Sequence, residues 1–354
     1  MTSAPREREI AVVAFAQTDH RRTSDDLSEV EMLMPVLHEV LDRTGLKTAD
    51  IDFTCSGSSD YLAGRAFSFT LALDGVGAWP PISESHVEMD GAWALYEAWT
   101  KLLTGDADTA LVYAYGKSSP GSVRDVLTRQ LDPYYVAPLW PDSVALAALQ
   151  AQALIDAGSA DEPALAAIAS RNRAAATTNP HAQLRGPVPQ GGYLVQPLRT
   201  GDCPPIGDGA AAVLLAAGDR ARELCARPAW IRGIDHRIEA HGLGVRDLTD
   251  SPSVRLAAER AGAFERPVDT AELHAPFTAQ EIVLRKALRL GEDVHVNPSG
   301  GALAAHPIMA AGLIRVGEAA ARIHRGASDR ALAHATSGPC LQQNLVAVLE
   351  GEPR

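Results

Sequence analysis

His86, Glu88 and Asp90 stand within five residues of one another, in the stretch His86-Val87-Glu88-Met89-Asp90-Gly91-Ala92-Trp93-Ala94-Leu95, where a loop runs into a helix. A carboxylate in a closed pocket has its proton affinity raised towards neutrality and can act as a general base, which is one reading of Glu88 and Asp90. The other is that they cap the helix, whose positive dipole end favours acidic neighbours, and do no chemistry. His86 suits either role. Two further histidines stand in compact settings, His274 in His-Ala-Pro-Phe and His306 before Pro307; by spacing alone a lone histidine reads first as structural. The four cysteines, Cys55, Cys203, Cys225 and Cys340, form no Cys-x-x-Cys pair. That spacing argues against a zinc knuckle or a disulfide framework, and no metal site is expected.

The elements that must position these groups are legible in the pattern. After Gly91, Leu95, Ala98 and Leu102 keep helical spacing, Gly105-Asp106-Ala107-Asp108 makes a turn, and Thr109 to Tyr115 has the content of a buried strand. The same unit recurs 221 positions later, pairing Gly91 with Gly312, Glu97 with Glu318, Gly105 with Gly326, Asp108 with Asp329 and Leu111 with Leu332 without a gap. The second copy begins in Gly300-Gly301-Ala302-Leu303-Ala304-Ala305-His306-Pro307. This reads as an internal duplication.

Across the 354 residues, apolar side chains make up 46% and charged ones 21%, the range of a globular protein with a sizeable core. A net charge of -12 disfavours nucleic acid or an anionic membrane as a general partner. The short apolar run Ile10 to Phe15 reads as a first strand rather than a signal peptide or membrane span, so the cytoplasm is the expected location. A helix is expected from Leu27 to Leu41, started by Ser24-Asp25-Asp26, ended by Gly45, and kinked or shortened by Pro35. Ile51 to Cys55 reads as a strand, so the first hundred residues alternate strand and helix as in a mainly parallel α/β sheet. Residues 117–200 break that alternation with helices at Ser143 to Ala157 and Pro163 to Ala176 among prolines and glycines. So long an excursion covers a site, makes a subunit contact, or is a plain surface insertion. Pro205 to Ala216 returns to the core as a turn and buried strand.

Taken in order, these segments resemble the thiolase superfamily, and within it the branch of sterol-carrier-linked and bacterial lipid-transfer thiolases. The resemblance rests on Ile10 to Thr18, Glu88 to Leu95, Arg171-Asn172-Arg173, Asn179-Pro180-His181-Ala182-Gln183, Cys203 to Ala212, Glu272-Leu273-His274-Ala275-Pro276-Phe277, Asn297-Pro298-Ser299-Gly300-Gly301 and His306-Pro307. It implies a five-layered αβαβα fold built from two internal repeats, with one half at 1–225, including the excursion, and the other at 226–354. It also implies a coenzyme A thioester as substrate, with no cofactor beyond that coenzyme A.

The chemistry implied by the resemblance departs from the family at one point. Aligning Gly91 and Ala94-Leu95 onto the motif that carries the nucleophilic cysteine puts Glu88 in the cysteine's place, so no covalent acyl-enzyme is expected there. His274 and His306 resemble the two members of the oxyanion hole. Cys340 lies near the place of the family's acid/base cysteine, but without its glycine cluster, and reads equally as a small buried apolar residue. The set kept, His274, His306, Glu88 and Cys340, fits retro-aldol cleavage of a β-hydroxyacyl-CoA in lipid or steroid side-chain catabolism. The alternatives are a catalytically silent subunit that scaffolds an active paralogue, and an acetyl-CoA acyltransferase. Expected partners are a second copy or a thiolase paralogue in a dimer, and a small OB-fold acyl-CoA-associated protein.

Overall fold

Ten of the chain's apolar runs assemble into one continuous sheet, in a computed structural model that describes residues 8–189 and 191–352. The first half runs β1 (Ile10–Gln17), α1 (Glu29–Thr44), β2 (Phe53–Gly57), α2 (Asp60–Ala63), α3 (Phe69–Val76), β3 (Glu84–Val87), α4 (Gly91–Leu103) and β4 (Thr109–Lys117). An excursion follows, with α5 (Val123–Arg129), α6 (Ser143–Asp156), α7 (Glu162–Ala175) and the hairpin of β5 (Tyr193–Val195) and β6 (Leu198–Arg199). The half closes with β7 (Asp208–Ala217) and α8 (Gly218–Leu224). The second half is β8 (Ala229–Ile238), α9 (Pro252–Arg260), β9 (Thr270–Leu273), α10 (Thr278–Ala287), β10 (His295–Val296), α11 (Ala311–His324), β11 (Arg330–Ser337) and β12 (Gln343–Glu350).

From the centre outward the halves have the same order, β1-β7-β4-β2-β3 on one side and β8-β12-β11-β9-β10 on the other. Each begins with two antiparallel pairings and ends with two parallel ones. They join through a short antiparallel contact of Ala11 with Trp230 and Val12 with Ala229. The 221-residue offset carries α4 onto α11 and β4 onto β11. It also carries a turn. Gly105 and Gly326 both take left-handed φ, at 81° and 71°, and the Asp52 and Asp269 carboxylates each accept two backbone N–H groups at the strand that follows.

Side chains alternate across each strand, so each half-sheet has two apolar faces. Val112 and Ala333 face inward, where α4 and α11 lie side by side with Leu95, Leu102, Leu313 and Ile323 in one core. Leu111 and Leu214 face outward under α1, α3 and α8, while Leu332 and Val346 face outward under α6, α9 and α10. The result is a five-layered αβαβα sandwich whose middle layer is the two repeat-related helices.

Three expectations need correction. The sheet is mixed rather than mainly parallel, because five of its nine pairings are antiparallel and the parallel ones are confined to its two outer ends. α1 begins at Glu29 rather than Leu27, because Ser28 and Glu31 form a capping box there. Pro35 does not shorten that helix, which runs on to Thr44: it sits on the exposed face, so the Glu31 carbonyl left without an N–H partner faces water.

Candidate functional site

Strand β9 ends at Leu273 and leaves His274 at its tip. The loop between β10 and α11 carries His306, and Asn297 staples the two together by accepting the Leu273 N–H at 2.6 Å. The imidazoles therefore meet, Nε2 to Nε2, at 3.0 Å. Burial holds both rings neutral, pushing His274 well below the usual histidine range and His306 down to about 4, with Arg315 adding to each effect. The backbone N–H of Thr336 donates to His274 Nδ1 at 3.3 Å, so in the neutral ring the hydrogen is on Nε2 and is donated to His306. His306 then presents a bare Nε2 and carries its own hydrogen on Nδ1. One ring is a donor and the other an acceptor, side by side.

Both rings line a cavity of about 800 Å³. Its walls are largely apolar and come from the excursion, including Val123, Leu127, Val144 and Ala147, with Ile206 and Phe277 opposite. Of the three readings open for residues 117–200, covering a site is the one the structure supports.

The acidic pair beside α4 divides. Glu88 is half exposed at 50%, accepts the Asp60 N–H at 2.7 Å, lies 3.6 Å from His86 and does not line the cavity. A carboxylate this solvated lacks the closed pocket that a base role at Glu88 required. Asp90 is the carboxylate at the cavity. Buried as the N-cap of α4, it accepts Ala92 N–H at 2.8 Å, and across the interface it accepts Gly312 and Leu313 N–H at 2.8 and 3.0 Å from the start of α11. Burial raises its pKa to about 6 against those three donors and Arg315. One side chain thus caps both repeat-related helices.

That approach demands glycine on the far side. A Cβ at Gly312 would lie 2.5 Å from Asp90 Oδ1 and 2.7 Å from the Ala335 methyl. Gly312→Ala is expected to lower stability by about 1–3 kcal/mol in urea denaturation, and an unchanged midpoint would show that the two helix starts can separate freely.

Cys340 lines the cavity, yet its thiol donates to the Leu146 carbonyl at 3.4 Å and burial pushes its pKa up to about 11. The other cavity thiol, Cys203, is pushed up to about 12 by the same cause. Neither presents a thiolate at neutral pH. Sequence reasoning missed Thr336 and Asn297 as determinants of the pair, since a backbone N–H leaves no mark in residue type; Asn297 stood in a motif but without a role.

The buried histidines also set the pH response. His20, His306 and His334 are pushed by burial to about 3, 4 and 4, and His274 lies low as well. Their stabilising contribution is present above pH 6.5 and is lost as pH falls towards 4, because only the unfolded chain takes up protons in that window. Asp90 has the opposite sign, its contribution being present below about 3.8 and lost as pH rises through 6. His324 is lowered by burial as well. These five histidines, at about 1.4 kcal/mol per pH unit each, outweigh the three carboxyls that burial raises, Asp90, Glu272 and Glu84, so the urea midpoint is expected to be lower at pH 5 than at pH 7.5. Equal midpoints would mean that these rings protonate without unfolding.

No family profile matches the chain. The acetyl-CoA acetyltransferase of Methanothermobacter thermautotrophicus is 26% identical over 94% of this chain and 95% of its own length. Sterol carrier protein 2 of Gallus gallus is 24% identical over 93% of this chain and 69% of its own. Among solved structures, an Ltp2-ChsH2(DUF35) aldolase superposes with a TM-score of 0.80 at 19% identity, covering 98% of both chains. Human mitochondrial 3-ketoacyl-CoA thiolase superposes with a TM-score of 0.75 at 16% identity, over 98% of this chain and 99% of that one. Among the described residues, no helix is long and apolar enough to cross a membrane.

Proposed function

The chain belongs to the thiolase superfamily, and from that premise we propose that it processes acyl-CoA thioesters by retro-aldol cleavage of a β-hydroxyacyl-CoA. The observation that carries this reading is the neutral imidazole pair, with Nε2–H of His274 and bare Nε2 of His306 3.0 Å apart at an apolar cavity. In a folded-back β-hydroxy thioester the hydroxyl and carbonyl oxygens lie about one hydrogen-bond length apart, the same spacing. Substrate opens the bond between the two rings: His306 Nε2, released from His274, accepts the hydroxyl proton, the oxygen's electron pair forms the ketone, and the carbon–carbon bond breaks. Its electrons pass to the thioester as an enolate, whose oxygen His274 holds by hydrogen bonding. The proton that His306 took from the hydroxyl is then delivered to the α-carbon, which releases a shorter acyl-CoA and returns the ring to its neutral form. Acyl transfer instead needs a thiolate, and both cavity thiols are held protonated. The roomy apolar walls suit a lipid or steroid side chain.

The protein of similar fold is an Ltp2-ChsH2(DUF35) aldolase, which supports expecting a DUF35 companion here. The test is to incubate the purified chain, alone and with such a companion, with a β-hydroxyacyl-CoA. Ketone and shortened acyl-CoA are expected, with no acyl adduct on any cysteine in quenched enzyme. An acyl group on Cys340 or another cysteine replaces the reading with thiolase chemistry; no cleavage under either condition leaves a silent scaffold as the better account.

A further inference from the structure

Glu272, Ser299 and Arg315 form a buried ionic cluster that the cleavage step does not touch. The Glu272 carboxylate accepts the Ser299 N–H at 3.0 Å and its hydroxyl at 2.6 Å, and pairs with Arg315 Nη1 at 2.8 Å. Arg315 Nη1 also donates to Ser299 Oγ at 2.6 Å, and all three side chains are almost wholly shielded from water. Each comes from a different element, and each element carries a part of the site. Glu272 is two residues before His274 along the same extended segment, so their side chains share a face. Ser299 belongs to the irregular loop that ends in His306. Arg315 is on α11, three residues after the Gly312 N–H held by Asp90.

A buried ion pair is a weak source of stability compared with apolar packing of the same volume, so stability alone is a poor reason for this one. Its geometry offers a better one. We propose that Arg315, clamped by Glu272 and Ser299, is a positioning residue for the His274–His306 pair, locking strand tip, loop and helix so that the two Nε2 atoms stay one hydrogen bond apart. The positive charge also disfavours protonation of either ring, which keeps one donor and one acceptor in place. The kinetic part of this inference rests on the retro-aldol reading; the structural part does not.

Removing one charge alone would strand the other, so the test uses Ser299→Ala and the double variant Glu272→Met/Arg315→Met. In protein labelled with ¹⁵N-histidine, the wild type is expected to show His274 and His306 as single, opposite tautomers, and both variants a mixture at His306, whose tautomer depends on the spacing between the rings, with cooperative unfolding retained. Cleavage should lose about tenfold or more in kcat while KM stays within about twofold, the mark of misplacement rather than lost binding. Single tautomers unchanged in both variants overturn the proposal whatever the kinetics. If the wild type cleaves no β-hydroxyacyl-CoA but its tautomers mix in the variants, the positioning role stands and the retro-aldol reading falls.

Discussion

His274→Ala is expected to lower turnover of a β-hydroxyacyl-CoA by about 10²-fold or more, the usual cost of one preorganised donor to a developing oxyanion. The loss should fall on kcat, because the ring's Nε2–H is aimed at charge that forms only as the carbon–carbon bond breaks. His306→Ala removes the acceptor and should cost at least as much. The pair is also expected to be non-additive, since His274, its own tautomer set by the Thr336 N–H, fixes that of His306 through one 3.0 Å bond. Both variants keep Thr336, Asn297 and the ion cluster, so the fold should survive, as a urea titration would show. Turnover unchanged in both, with the fold intact, would make the histidines structural and remove the basis for the cleavage chemistry.

The second large effect concerns stability. Asp90→Ala strips the acceptor from three N–H groups at once, those of Ala92, Gly312 and Leu313. At the low end of roughly 1–3 kcal/mol for each orphaned donor, the loss is about 3 kcal/mol or more. Asp90→Asn keeps one carbonyl oxygen and so should fall between wild type and alanine. The raised pKa of Asp90 works against the alanine loss at neutral pH, because ionising that carboxyl in a buried site is itself costly. The loss is therefore expected to be larger at pH 5 than at pH 7.5. An alanine variant within about 1 kcal/mol of wild type at both pH values would show that water replaces the carboxylate without penalty.

The first prediction leans on residues that the resemblance singles out, the second on one for which the sequence left capping and base roles open, and the difference has a physical cause. His274 and His306 sit in short motifs at fixed distances from predictable elements, the tip of a strand and the loop before a repeat-related helix. Their role was expected from the resemblance alone, since by spacing each reads first as structural. Glu88 and Asp90 sit in a bend between β3 and α4, where no periodicity tells which carboxylate turns inward. Alignment selected Glu88 because it occupies the nucleophile's place; folding turns Glu88 outward to the Asp60 N–H and sends Asp90 between the helices. Around Cys340 the difficulty was a missing glycine cluster. Here the chain makes its turn with Cys340 and Leu341, both in left-handed conformation at φ 52° and 59°, a choice that residue types do not advertise. The duplication was legible for the opposite reason, since a helix, turn and strand repeat the same signal twice; the five layers were implied by the resemblance.

Asp90 has no mirror image. At the same 221-residue offset its counterpart is Ala311, so a single carboxylate serves two helices related by a pseudo-twofold axis. Two copies of the first half arranged as a symmetric dimer would bring two buried carboxylates to that axis, where like charges cannot both ionise. Two copies of the second half would bring none, leaving the helix starts without an acceptor. A perfectly symmetric ancestor or redesign would therefore have to share one proton between two carboxylates at this position, or leave both helix starts without an acceptor.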